Sequence, residues 1–244
     1  MSQPRAAGRE PRALAPRATA CVTLLLVCAT HAGAQVGYEP DRSPFKDLEY
    51  RQELTGFLGW FNAGKDVAGV APQSGPITGL RYEVRVGGPA QFTARVARVA
   101  SERRILDPAK PAAERLVGEE SWPLYLGDVS LSINLTGQKS WHRLVPVING
   151  GAGIVSDFEG DADVGGFQFG TQFAFSFGAG VRFVPGGRFQ ARVDLSDHLY
   201  QVEYPESYRL PASDDTSVLR NTQALRNWKH NVALTVGASY LFFR

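Results

Sequence analysis

Cysteine is almost missing from this chain: there are two, Cys21 and Cys28, both inside an N-terminal leader. Beyond the leader, therefore, no disulfide framework and no thiolate metal site can form. Long apolar runs are missing as well. Nothing after the leader approaches the ~20 consecutive apolar residues of a membrane-crossing helix. Nor is one sign of charge in excess. The 26 basic and 24 acidic residues become almost equal once Arg5, Arg9, Arg12, Arg17 and Glu10 of the leader are set aside, which argues against a mainly electrostatic nucleic-acid partner. The Gly150-Gly-Ala-Gly153 run has no helix behind it and is no phosphate cradle. No cofactor is expected.

What is present begins with targeting. Residues 1–34 hold a basic stretch, the short apolar run Cys21-Val-Thr-Leu-Leu-Leu-Val-Cys28 and the small residues Ala32-Gly-Ala34, the layout of a cleaved secretory signal peptide. Residues 35–52 are polar, contain proline and read as a periplasmic lead-in, with a short helix around Phe45 to Arg51. Residues 53–244 carry a different pattern and are long enough for one all-β domain.

That pattern is clearest from Thr171 to Phe183. Phe173, Phe175, Phe177, Ala179, Val181 and Phe183 fall on one face, and Gln172, Ala174, Ser176, Gly178, Gly180 and Arg182 on the other. A period of two is a strand. A polar face built of small residues and ending in arginine suits the crowded interior of a small barrel, which leaves the phenylalanines facing lipid. Seven further segments alternate, at about Glu53–Gly64, Ile77–Val86, Gln91–Val99, Leu124–Leu135, Leu144–Val155, Arg188–Leu199 and Lys229–Phe243. The connectors are long after the first, third, fifth and seventh segments and short after the others. The expected fold is an all-β, eight-stranded antiparallel up-and-down transmembrane barrel with long outer loops and short periplasmic turns. Closure satisfies every backbone polar group within the membrane, and eight strands enclose only enough room for side chains.

The leader, the eight segments, the run GAGVRFVPGGRFQARVDLSDHLY from Gly178 to Tyr200 and the final strand ending SYLFFR resemble the bacterial outer-membrane β-barrel family that includes OmpA-like and OmpX-like domains. The resemblance implies residence in the outer membrane of a Gram-negative-type envelope, with outer-membrane lipids as neighbours. It also implies insertion by the barrel-assembly machinery, although Arg244 here follows the aromatic Phe243 on which such chains often end. The expected role is structural or surface-interacting and not enzymatic, with surface ligands met through the outer loops.

Two sets of residues carry this reading. Arg81, Glu83, Arg85, Arg95, Asp128, Arg182, Arg188, Arg192 and Asp194 are expected to point inward, where unpaired charge is costly, and so to form an ion-pair network that plugs the barrel. Phe173, Phe175, Phe177, Val181, Phe183, Val232, Leu234, Val236, Tyr240 and Phe242 are expected to face lipid. One alternative makes the inward charges a narrow outer-membrane channel. A second is a soluble periplasmic β-barrel binding an apolar ligand. A third follows from the resemblance, because some such barrels modify lipid A with a serine and a histidine, and Ser196, Asp197 and His198 lie together. A serine nucleophile needs a base in reach and a group to orient that base. Asp157, Glu159, Asp161 and Asp163 offer hard oxygens to a divalent ion, though four acids in a glycine-rich loop are more often simply solvated. Catalytic residues and metal ligands are not expected.

Overall fold

Alternating polarity produces a closed barrel in the computed structural model, which describes residues 43–243. Its strands are β1 (Gln52–Asn62), β2 (Gly75–Gly87), β3 (Ala90–Val99), β4 (Leu124–Asn134), β5 (Leu144–Ser156), β6 (Thr171–Phe183), β7 (Phe189–Glu203) and β8 (Arg226–Phe242). Each pairs antiparallel with its sequence neighbour. β8 closes on β1, from Val232 opposite Asn62 to Phe242 opposite Gln52. All three short connectors lie at one end of the barrel, the turn end, and the four long ones at the other, the loop end. The proposed signal over 1–34, with both cysteines, lies outside the described residues.

Two elements differ from the sequence pattern. The helix expected around Phe45 to Arg51 is instead a strand, Phe45–Asp47, which pairs antiparallel with Lys139–Trp141 in the turn between β4 and β5. That turn offers unpaired backbone groups, and an adjacent segment satisfies them more readily than an isolated helical turn forms. The chain then crosses the turn-end mouth, where the Arg51 backbone amide donates to the Phe243 carbonyl and the Arg85 backbone amide to the Arg51 carbonyl, both at 2.8 Å. The second difference is that β7 and β8 outrun the expected Leu199 and Lys229, pairing as far as Glu203 opposite Arg226. Tyr200 and Val202 in this extension are buried beneath loop residues. The polarity pattern of a lipid-crossing strand therefore ends before the hydrogen-bond ladder does.

The interior has two storeys. Toward the turn end it is polar, filled by buried arginines, acids, serines and threonines. Toward the loop end, Phe61, Val99, Leu124 and Val155 from the strands meet Val70, Phe167, Tyr208 and Leu219 from the loops in one apolar cluster. Burying such side chains contributes roughly 1.5–3 kcal/mol each, so the loops form a packed lid. Part of the long β3–β4 connector is itself a hairpin, Glu102–Leu106 against Leu116–Ser121.

Candidate functional site: the barrel interior and its mouths

Strand register decides how the inward charges meet. Glu53 stands directly opposite Glu83, Arg81 opposite Arg95, and Arg182 opposite Arg192. Like charges placed so disfavour a sheet, and each pair is relieved by opposite charge from other strands. Arg81 Nη1 reaches Asp194 at 2.9 Å, Arg95 Nε reaches Asp128 at 2.8 Å and Arg182 Nη1 reaches Glu53 at 2.9 Å. Arg192 lies at the centre, with Nε 2.8 Å from Asp194, Nη1 3.5 Å from Glu53, and a contact to Glu83. Hydroxyls complete the acids: Thr55 donates to Glu53 and Thr93 to Glu83, each at 3.1 Å. Paired and hydrogen-bonded in this way, the charges can be held out of water.

Of the residues expected in this network, Arg81, Glu83, Arg95, Asp128, Arg182, Arg192 and Asp194 are brought together. Arg85 is half-buried at the turn-end mouth and joins none of these ion pairs. Arg188 corrects the expectation, since it is exposed and donates to the Tyr240 hydroxyl at 3.0 Å. The Arg188 carbonyl still accepts from the Leu241 amide at 2.7 Å, but at this position, next to the turn made by Gly186 and Gly187 at φ 123° and 77°, the side chain lies outside the mouth and not in the lumen. Glu53 and Asn134, which accepts from Arg182, belong to the network but were not identified from the sequence. In this strand the inward positions mix Glu53 and Thr55 with Phe57 and Phe61 while the outward ones carry Leu54, Leu58 and Trp60, which obscures which face is apolar, although Thr55 on the same face was a usable signal.

Above the ion pairs, Arg95 also donates to Ser196 Oγ and to His198 Nε2, each at 3.3 Å. An arginine can only donate, so the His198 nitrogen facing it acts as acceptor. Ser196 Oγ lies 3.3 Å from that same nitrogen. The acid between them does not join them, because Asp197 faces outward and bonds His230 Nδ1 at 2.6 Å. Ser196 and His198 are 3% and 2% exposed, beneath the aromatic lid and away from both lipid and loop surface.

Further polar contacts fasten the lid. Asp66 in the β1–β2 loop pairs with Lys229 Nζ at 2.8 Å, accepts from the Ala71 amide at 2.6 Å and receives the Tyr204 hydroxyl. Burial alone would raise the Asp66 carboxyl, but the Lys229 and Tyr204 hydrogen bonds and the Lys229 charge hold it below its ordinary value. Burial and the nearby Asp66 charge push the Tyr204 hydroxyl well up, so it stays a donor. Arg103, almost fully buried, bonds Asp163 at 2.7 Å and lies over the Trp122 ring at 4.2 Å. Of the four acids in the β5–β6 loop, Asp163 is thus engaged by Arg103 and Asp157 by the Trp122 indole at 2.8 Å, while Glu159 and Asp161 are exposed. Among the described residues, no group of three or more His, Cys, Asp or Glu is placed to hold a metal ion.

On the outside, Phe173, Phe175, Phe177, Val181, Phe183, Val232, Leu234, Val236 and Tyr240 are all exposed. Phe242 is half-buried and stacks at 6.2 Å on Tyr82. Exposed aromatics edge the band at both ends, Trp60, Phe173 and Trp228 toward the loops, and Phe92, Phe183, Phe189 and Tyr240 toward the turns. Trp228 and Tyr240 bracket β8. At ~3.3 Å per residue and a tilt of ~40°, the strand between them spans roughly 30 Å, the depth of a bilayer's hydrocarbon layer.

A closed eight-stranded antiparallel barrel with a polar filled interior, an apolar outer band and aromatic edges is a barrel of the outer-membrane type. No family model matches the sequence, and no curated protein matches it. Among solved structures, the chain is similar to the outer membrane protein OprG from Pseudomonas aeruginosa, with a TM-score of 0.50 at 9% identity, covering 81% of this chain and 99% of that one. It is also similar to Neisserial surface protein A, at 0.48 and 12% identity over 78% and 97% of the two chains. A third is the N-terminal β-barrel domain of Pseudomonas aeruginosa OprF, at 0.42 and 10% identity over 78% and 98%. At such low identity the likeness is one of fold.

Proposed function

We propose that this protein is a non-enzymatic integral outer-membrane barrel that anchors a compact lid of loops at the cell surface, and that its interior is plugged and not conducting. The short turns face the periplasm and the long loops face outward. The observation that carries the reading is the two-storey filling, in which a ring of ion pairs centred on Arg192 lies beneath an apolar cluster shared by strands and loops. An ion crossing the barrel would have to break several buried charge pairs and then pass dry aromatic packing. Removing one partner from a buried pair costs about 3–5 kcal/mol. Outer-membrane lipids cover the aromatic band, and the exposed loop surface is where a ligand or another surface would be met.

Two measurements test the proposal. The detergent-extracted membrane fraction should contain a species whose gel mobility changes on boiling, as a closed barrel's does. Purified protein in liposomes should give no steady conductance. A protein that stays soluble without detergent would refute the membrane assignment, and stable channels would replace the plug with a conducting path.

A further inference from the structure

The ion-pair network does not use every polar group at the turn end. Beneath the segment that crosses this mouth lies a cavity of 540 Å³, lined in part by Arg51, Arg85, Gln91, Arg182 and Gln190. This is within the usual range for small-molecule sites. Four buried polar atoms of residues that line it, Arg85 Nε, Gln91 Oε1, Arg182 Nε and Gln190 Nε2, have no hydrogen-bond partner among the described residues. Gln91, Arg182 and Gln190 are only 7%, 4% and 6% exposed, and Arg85 stands directly opposite Gln91 in the β2–β3 register. Buried polar atoms are nearly always satisfied, so four on residues around one cavity mark a place where something polar belongs.

The sign of the chamber follows from which charges are already used. Glu53 is taken by Arg182 and Arg192, and Glu83 by Arg192. Asp47, on the covering segment, faces Lys139 at 3.7 Å. Glu49 also lines the cavity and has its own contacts. Arg51 and Arg182 lie close enough to act on the Arg85 charge, and Arg85 forms no ion pair among the described residues. Three of the four unused atoms are donors, two of them on guanidinium groups. Guanidinium donors suit carboxylate and phosphate oxygens above other acceptors.

We infer that this chamber binds a small oxyanion, a carboxylate or a phosphate, held between Arg85 and Arg182 with Gln190 as a third donor. The inference rests on the filled barrel of the preceding reading but not on what the loops touch. Free solute and the phosphate of a lipid headgroup share this chemistry.

The test follows the arginine Nε–H NMR signals of the full-length protein during titration with inorganic phosphate and, separately, acetate. In maltoside micelles, Arg85 and Arg182 should shift saturably with at least one of the two, while exposed Arg226 does not. Arg85→Gln should weaken the response of Arg182 by about tenfold or more, the loss expected for a charged hydrogen bond. Should that variant fail to form a heat-modifiable barrel, Gln190→Leu provides the same readout. In phosphatidylglycerol nanodiscs without added anion, signals already at the shifted position would identify the headgroup as the source, and signals that move only on titration would identify the free solute. Shifts linear in anion concentration, or unchanged in both variants, would mean that water alone satisfies the chamber and would overturn the inference. Loss of heat-modifiable migration in the unmodified protein would instead indict the barrel reading.

Discussion

Glu53 and Glu83 face each other across the β1–β2 register, and the same guanidinium, that of Arg192, answers both. Arg192→Met would therefore strand the Glu83 carboxylate opposite Glu53, leave Glu53 with Arg182 alone and leave Asp194 with Arg81 alone. The expected loss is about 3–5 kcal/mol, read as a lower urea midpoint for the barrel folded in lipid vesicles. Adding Glu83→Gln to that variant should restore part of the loss. Two independent, additive penalties would show that the pair is not coupled.

The lipid face is tested at Phe177, midway along β6 and 52% exposed. Phe177→Arg should destabilise the barrel in vesicles by about 2–4 kcal/mol, the cost of a cation at the bilayer midplane. A charge-conserving control at exposed Arg98, Arg98→Lys, should be nearly silent. If Phe177→Arg were equally silent, those rings would not be in hydrocarbon.

Close approach of strands explains one glycine in particular. A side chain on Gly153 would begin 2.0 Å from the Gly127 carbonyl oxygen and 2.6 Å from the Asp128 Cα, whereas one on Gly127 would meet nothing within 4 Å. Gly153→Ala should lower the fraction of heat-modifiable protein recovered on refolding, and Gly127→Ala should leave it unchanged. Equal yields would show that β4 and β5 can part without cost.

The lid should be stable to moderate acid and fail only in strong acid. The Asp66 carboxyl is depressed below its ordinary 3.8 by Lys229 and Tyr204, against the opposing effect of burial. A depressed carboxyl contributes stability that is complete above the unfolded value and is lost as pH falls through the folded one. Opening of the lid, read by the near-ultraviolet circular dichroism of its buried tyrosines, should accordingly begin only below about pH 4, and Asp66→Asn should start it already above that. Opening that begins near pH 6 in the unmodified protein would point to another group.

Alternation made the strands legible. The outward phenylalanines of β6 and its inward Ser176 and Arg182 could each be assigned a face from the sequence, because the two faces of that strand meet different surroundings. The pairing of the charges could not, since a strand does not announce which strand lies across the lumen. Arg182 finds Glu53 from the far end of the chain. Arg188 shows the other limit: at the mouth of the barrel the parity of a strand position no longer guarantees burial, and this side chain reaches the Tyr240 hydroxyl instead. The apolar storey was hidden for a similar reason. Phe61, Leu124 and Tyr200 share the inward parity of the arginines, so at the loop end the rule that inside means polar reverses where the loops replace water.

The three-residue pairing of Phe45–Asp47 with Lys139–Trp141 has a mechanical meaning. Any load on the chain ahead of Phe45 reaches that small zipper before it reaches the wall of the barrel. Peeling it would uncover the arginine-lined cavity at the turn end while leaving the ladder of β1 to β8 intact.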